Sequence, residues 1–143
     1  MKRSLALSAV FLVVWGSAAF AETLKDENAV KAWTDQIMAK VGAGDLDAAF
    51  NEMKSQTSAS PTEVDGASMQ SKAGREKFGQ RWGATTGFEF IDSKKAGESL
   101  FRLRYVEKTE HHAILWIFNF YREKNAWTLN TFNWNDNYLP LFD

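Results

Sequence analysis

Residues 113–121 read Ala-Ile-Leu-Trp-Ile-Phe-Asn-Phe-Tyr, a nearly unbroken apolar and aromatic run in an otherwise polar chain. Side chains on a strand alternate between the two faces of a sheet, so a strand apolar at almost every position needs cover on both. A chain this short readily covers one face. The second cover is expected from a partner subunit, a ligand or a closing wall. Upstream, the period is helical. From Asn28, apolar residues fall at Val30, Trp33, Ile37, Met38 and Val41, one stripe of a helix that Asp26 or Asn28 can cap and Gly42 or Gly44 can end. Asp45 then caps a second helix with Leu46, Ala49, Phe50 and Met53 on one face. After a polar break at 55–59, Ser60-Pro61-Thr62-Glu63 joins a capping serine, a proline at the first helical position and a glutamate three residues after the cap. The helix it opens is sparse in apolar residues (Val64, Ala67, Met69, Phe78), holds Gly66 and Gly74, and is expected to run to about Trp82.

From Gly87 the period becomes two. Phe88 and Phe90 alternate with Gly87 and Glu89, Ala96-Gly97 marks a turn, and strands are expected over 100–107, 113–122 and 127–134. Glu110-His111 and Lys124-Asn125 are the turns between them. With even-length hairpin loops, Phe101, Leu103 and Tyr105 share a face with Ile114, Trp116, Phe118, Phe120, Trp127 and Leu129, an apolar wall for the helices. The opposite face collects Leu100, Arg102, Arg104, Val106, Leu115, Ile117, Asn119, Tyr121, Thr128, Asn130, Phe132 and Trp134. A one-residue slip would spoil this sorting. The expected fold class is α+β: N-terminal helices packed on a curved antiparallel sheet of about four strands, in one domain.

The first residues carry a different signal. Lys2 and Arg3 precede the uncharged run from Leu5 to Phe20, and Ala19-Phe20-Ala21 places small residues where signal peptidase reads. The run is short for a membrane span of roughly 20 residues. Cleavage is expected after Ala21, giving a periplasmic or secreted domain over 22–143 with no membrane span after processing; an uncleaved anchor is the alternative. The chain has no cysteine, which excludes disulfides, a thiol nucleophile, cysteine metal sites and a lipid-modified cysteine. Seventeen Lys and Arg against 18 Asp and Glu, less Lys2 and Arg3, leave a net charge of −3, which points to no nucleic-acid partner.

The helices followed by an aromatic-rich meander resemble the cone-shaped fold of nuclear transport factor two-like and cystatin-like domains. The residues that carry the resemblance are Gly44-Asp45-Leu46-Asp47-Ala48-Ala49-Phe50, between the first two helices, and Phe118-Asn119-Phe120-Tyr121-Arg122 with Trp127-Thr128-Leu129-Asn130, Phe132 and Asp136 in the last hairpin. They are similar to small exported members of that superfamily. The fold hosts isomerases, dehydratases, transport factors, secretion components and immunity proteins, so it selects no activity.

Enzymes of that superfamily place an aspartate, histidine or tyrosine in the pocket between helices and sheet. Here the inner wall offers only Tyr105, with Asp35 or Asp65 able to reach in from the helices. No catalytic residue is assigned. His111 and His112 are the only histidines; adjacent on a strand they point to opposite faces, and in a turn they face solvent, so no metal or cofactor is expected. No serine sits in a nucleophile elbow, and no glycines form a phosphate loop. Asn135-Asp136-Asn137 is a turn former, and Leu139-Pro140-Leu141-Phe142 is expected to fold back onto the body. The best polar constellation is the row Arg102, Asn119, Asn130, with Arg104 and Tyr121 beside it and Phe132 and Trp134 near. A guanidinium flanked by amides on an aromatic floor suits a carboxylate or a partner's acidic side chain. An ordinary solvated stripe accounts for the same row. The reading is a non-catalytic exported domain that binds with its outer sheet face, taking a second copy as a homodimer, an envelope protein or a small amphipathic ligand. The alternatives are a small isomerase or dehydratase with a buried cavity, and an inhibitor or immunity-type protein.

Overall fold

In the computed structural model, which describes residues 23–143, three helices precede a four-stranded antiparallel sheet: an α+β fold. The expected signal segment and its cleavage point lie outside the described residues. Among the described residues no helix is long and apolar enough to cross a membrane.

Helix α1 spans Glu27–Gly42 and is capped by Asp26, whose carboxylate accepts from the Ala29 amide at 2.8 Å. The whole expected stripe, Val30, Trp33, Ile37, Met38 and Val41, is buried. Helix α2, Leu46–Met53, is capped by Asp45 and buries Leu46, Ala49, Phe50 and Met53. Helix α3 runs unbroken over Pro61–Trp82 from a complete Ser60–Glu63 capping box. Its buried face is Val64, Ser68, Ser71 and Trp82, while Met69, one of its few apolar residues, is exposed. Gly74 belongs in that helix because Trp134 lies against it: a Cβ there would sit 2.7 Å from the indole.

The strands are β1 Thr85–Ala96, β2 Leu100–Thr109, β3 Ala113–Glu123 and β4 Ala126–Asn135, in the order β1-β2-β3-β4. The β2–β3 register pairs Phe101 with Phe120, Leu103 with Phe118 and Tyr105 with Trp116, as the alternation predicts. Lys124-Asn125 forms the β3–β4 turn, with Lys124 in the left-handed region at φ 55. The inner face packs Trp33 on Phe120, Phe50 on Trp116 and Phe101 on Trp127, at centroid separations near 6 Å.

One expectation fails at β4. Leu129 pairs with Phe120, but Thr131, not Asn130, pairs with Asn119, because Asn130 is the extra residue of a β-bulge. Every later side chain changes face. Phe132 and Trp134, expected outside, lie opposite Phe118 and Trp116 and pack against the core, with Phe132 5.8 Å from Phe50. Thr131, Asn133 and Asn135 take the outer positions, so straight alternation had reversed this half-strand.

Tyr105 ties the sheet to α1. Its hydroxyl donates to Asp35 Oδ1 at 2.8 Å, and Lys31 holds the same carboxylate. Burial foremost, then the hydrogen bond and charge of Asp35, push the phenol above its ordinary value. The stability this group supplies is therefore complete below the unfolded value of about 10 and is lost as pH rises through the folded one. Tyr105→Phe is expected to cost about 1 kcal/mol at neutral pH and to flatten the fall in stability above about pH 10; urea unfolding at pH 8 and pH 11 checks both.

Candidate functional site

The outer face of β2 and β3 divides into two regions. Near the β2–β3 turn, Val106 and Leu115 are buried, at 9% and 3% exposure. The chain end runs past them, tied at Asp136 to His112 and at Pro140 to Arg104. After Asn135, which pairs with Leu115, the backbone turns back over the sheet, and Arg104 on β2 donates from Nη1 to the Pro140 carbonyl at 3.2 Å. The backbone at Pro140 thus folds back onto the sheet, while the apolar side chains of Leu139 and Phe142 stay exposed. Ile117 is half-buried.

At the other end the face is open. Leu100 and Tyr121 are register partners and both about half exposed. Beside them Arg102 donates from Nε to Asn119 Oδ1 at 2.8 Å, and Asn119 donates from Nδ2 to Thr131 Oγ1 at 3.0 Å. The polar row therefore runs Arg102, Asn119, Thr131; Asn130 sits on the bulge, exposed and one place off it. A recess of about 330 Å³ opens here, lined by Lys94, Ala96, Leu100, Arg102 and Asn119 among others. Among the described residues neither Lys94 nor Arg102 has an ion-pair partner. The single Arg102 bond uses Nε, leaving the two terminal nitrogens of the guanidinium toward solvent.

Arg104 is not available in the same way. Both of its sides are taken by Asp92 and the Pro140 carbonyl. The Arg104 hydrogen bond holds the Asp92 carboxyl below its ordinary value, and Asp92 raises Arg104 in return. Of the seven proposed binding residues, the structure brings Arg102, Asn119 and Tyr121 together on the open half. It commits Arg104 to an ion pair, displaces Asn130, and turns Phe132 and Trp134 inward.

A second polar cluster was missed. Glu107 continues the inner-face series 101, 103, 105 and pairs with Ile114. It is wholly buried, so the inner wall does carry a carboxylate, contrary to expectation. Its Oε2 accepts from Trp116 Nε1 at 2.9 Å and from Arg75 Nη2, and its Oε1 accepts from Thr85 Oγ1 at 2.8 Å. Arg75 in turn holds Ser71 Oγ and stands about 5.5 Å from the Trp134 ring centre. The cluster borders a recess of about 370 Å³ between the α1–α2 loop, the end of α3 and the sheet. Every polar atom of Glu107 is already partnered. The period of two and the need of a buried indole N–H for an acceptor were the available signals.

The histidines part company. His111 is exposed, as expected of a turn. His112 is half-buried and stacks on Trp82 at 5.2 Å, so the solvent-facing expectation fails for it. The aromatic residues on α3 and in the tail draw it in. Comparison with protein-family models, with curated proteins and with solved structures returns no match for this chain.

Proposed function

We propose that the chain is an exported, non-catalytic binding domain that holds a small amphipathic carboxylate on the open half of its outer sheet face. The observation that carries this reading is the Arg102 guanidinium, fixed by Asn119 and without an ion-pair partner among the described residues, in a recess shared with the exposed Leu100, whose register partner is the exposed Tyr121. The recess volume lies at the small end of ligand pockets, and a guanidinium offers paired donors to a carboxylate while apolar side chains receive the tail. The order of helices before an aromatic meander supports the nuclear transport factor two-like reading of the fold. The leader supports export to the periplasm or the medium.

The enzymatic alternative draws on Glu107, a carboxylate beside a recess. It fits less well, because three donors, two at Oε2 and one at Oε1, already fix the carboxylate to α3, β1 and β3.

Calorimetric titration with decanoate, against decanol as the uncharged control, tests the proposal. Decanoate is expected to bind and decanol to bind more weakly. Arg102→Ala is expected to weaken decanoate at least about tenfold, since a hydrogen bond to a charged group contributes about 1.5–3 kcal/mol. Equal binding of the two probes, or no effect of Arg102→Ala, overturns the carboxylate reading. A dimer in sedimentation that Leu100→Glu dissociates replaces the ligand with a second copy.

A further inference from the structure

The chain end is built as a unit distinct from the body it covers. Asn135 Oδ1 accepts from the Asn137 amide at 2.8 Å, and Asn137 Oδ1 accepts from the Leu139 amide at 3.1 Å. A single 3-10 turn, Leu139–Leu141, follows, closed by Leu141 N to Tyr138 O and Phe142 N to Leu139 O. The segment is thus ordered by its own short-range bonds. Its ties to the body are few. His112 Nε2 meets the Asp136 carbonyl at 3.0 Å, the His112 and Tyr138 rings lie 5.7 Å apart, and Arg104 reaches the Pro140 carbonyl.

The cover is also lopsided. The sheet residues beneath it, Val106 and Leu115, are buried, yet no side chain of the 3-10 turn is, and Leu139 and Phe142 are 66% and 81% exposed. A segment that interlocked with the core would bury its own apolar side chains in return. In this one only Tyr138 and Leu141 are even half-buried, and a few hydrogen bonds of about 1 kcal/mol each hold it. Segments with few buried apolar contacts open below the free energy of global unfolding.

We infer that residues 136–142 form a strap, latched at His112 and Arg104, which opens as a unit while the rest of the domain stays folded and so uncovers the apolar strip Val106–Leu115–Ile117. Ile117 is the outer-face neighbour of Asn119 on β3, so opening joins the strip to the Arg102–Asn119 half of the face. The strap then sets how much apolar surface that face presents. It does not depend on what the Arg102 recess binds.

The absence of cysteine makes the test direct, because any introduced thiol is unique. Leu115→Cys places one beneath the strap, Val106→Cys is a second such site should the first unfold the domain, and Leu103→Cys places one in the core as a reporter of global unfolding. Labelling by 5,5′-dithiobis(2-nitrobenzoate) is followed under native conditions, with circular dichroism confirming the fold. The thiol at 115 or 106 is expected to react at least tenfold faster than that at 103. Asn137→Ala, which loosens the strap internally, and His112→Ala, which removes a latch, are each expected to widen that ratio. Equal rates at 115, 106 and 103 overturn the strap, since the strip is then reached only by global unfolding. A large ratio that neither substitution changes overturns the latch, since the strip then opens by another route.

Discussion

Replacing Glu107 with Leu is expected to cost about 3–5 kcal/mol. The carboxylate is wholly buried and serves three donors on three elements: Arg75 on α3, Thr85 on β1 and Trp116 on β3. Removing it strands a guanidinium that is only one-fifth exposed, together with an indole N–H in the core. Breaking one side of a buried ion pair costs more than the pair contributes, because the desolvated partner keeps its penalty. Glu107→Gln retains the shape and an acceptor oxygen, and is expected to cost about 1–2 kcal/mol. Arg75→Met combined with Glu107→Leu is expected to be less destabilised than the sum of the single changes by at least about 1 kcal/mol. Urea unfolding followed by tryptophan fluorescence measures the four variants, Arg75→Met alone included, against the parent. A Glu107→Leu chain within about 1 kcal/mol of the parent shows that the cluster does not hold α3 to the sheet. This is also why the cluster reads as a fastening: it joins the most weakly apolar helix to the sheet at the point where that helix offers Ser68 and Ser71 in place of a hydrophobic stripe.

The residues differ in how far their positions could be read from order alone. The stripes of α1 and α2 repeat every three or four residues, and burial follows them residue by residue. The β2–β3 register was legible because three apolar residues on β2 face three of the four on β3, and a one-residue slip would turn one set to solvent. Glu107 was hidden by its chemistry. A carboxylate at a strand end next to a turn reads as solvated, and its cation comes from a residue 32 positions earlier on a helix whose pattern is mostly polar. The bulge at Asn130 was hidden for another reason. It is a property of two paired strands and not of either alone, so no local pattern marks it. Its consequence for the candidate site was large: two of the seven proposed binding residues moved to the core, and the row found its third member in Thr131. Arg102 and Asn119 survived because their pairing depends only on the β2–β3 register, which was sound.

Phe132→Asp and Trp134→Asp are each expected to destabilise the domain by about 3 kcal/mol or more, while Thr131→Asp and Asn133→Asp are tolerated within about 0.5 kcal/mol. Straight alternation along β4 predicts the reverse, because it puts Phe132 and Trp134 in solvent and Thr131 and Asn133 against the helices. The asymmetry follows from where the charge lands. At 132 it meets Phe50 and Phe118, which offer no hydrogen bond, and at 134 the change removes the indole packed on Gly74 beside Arg75. At 131 and 133 it meets water. Deleting Asn130 probes the same point from the other side. Removal of the extra residue leaves Leu129 opposite Phe120 and Thr131 opposite Asn119, so Phe132 and Trp134 stay inside. That deletion is expected to cost no more than about 2 kcal/mol, through loss of the local twist that a bulge provides. Thermal and urea unfolding of the five variants reads the pattern. If the aspartates at 131 and 133 prove the costly ones, β4 is unbulged and its aromatic residues return to the outer face, where they would enlarge the surface around Arg102.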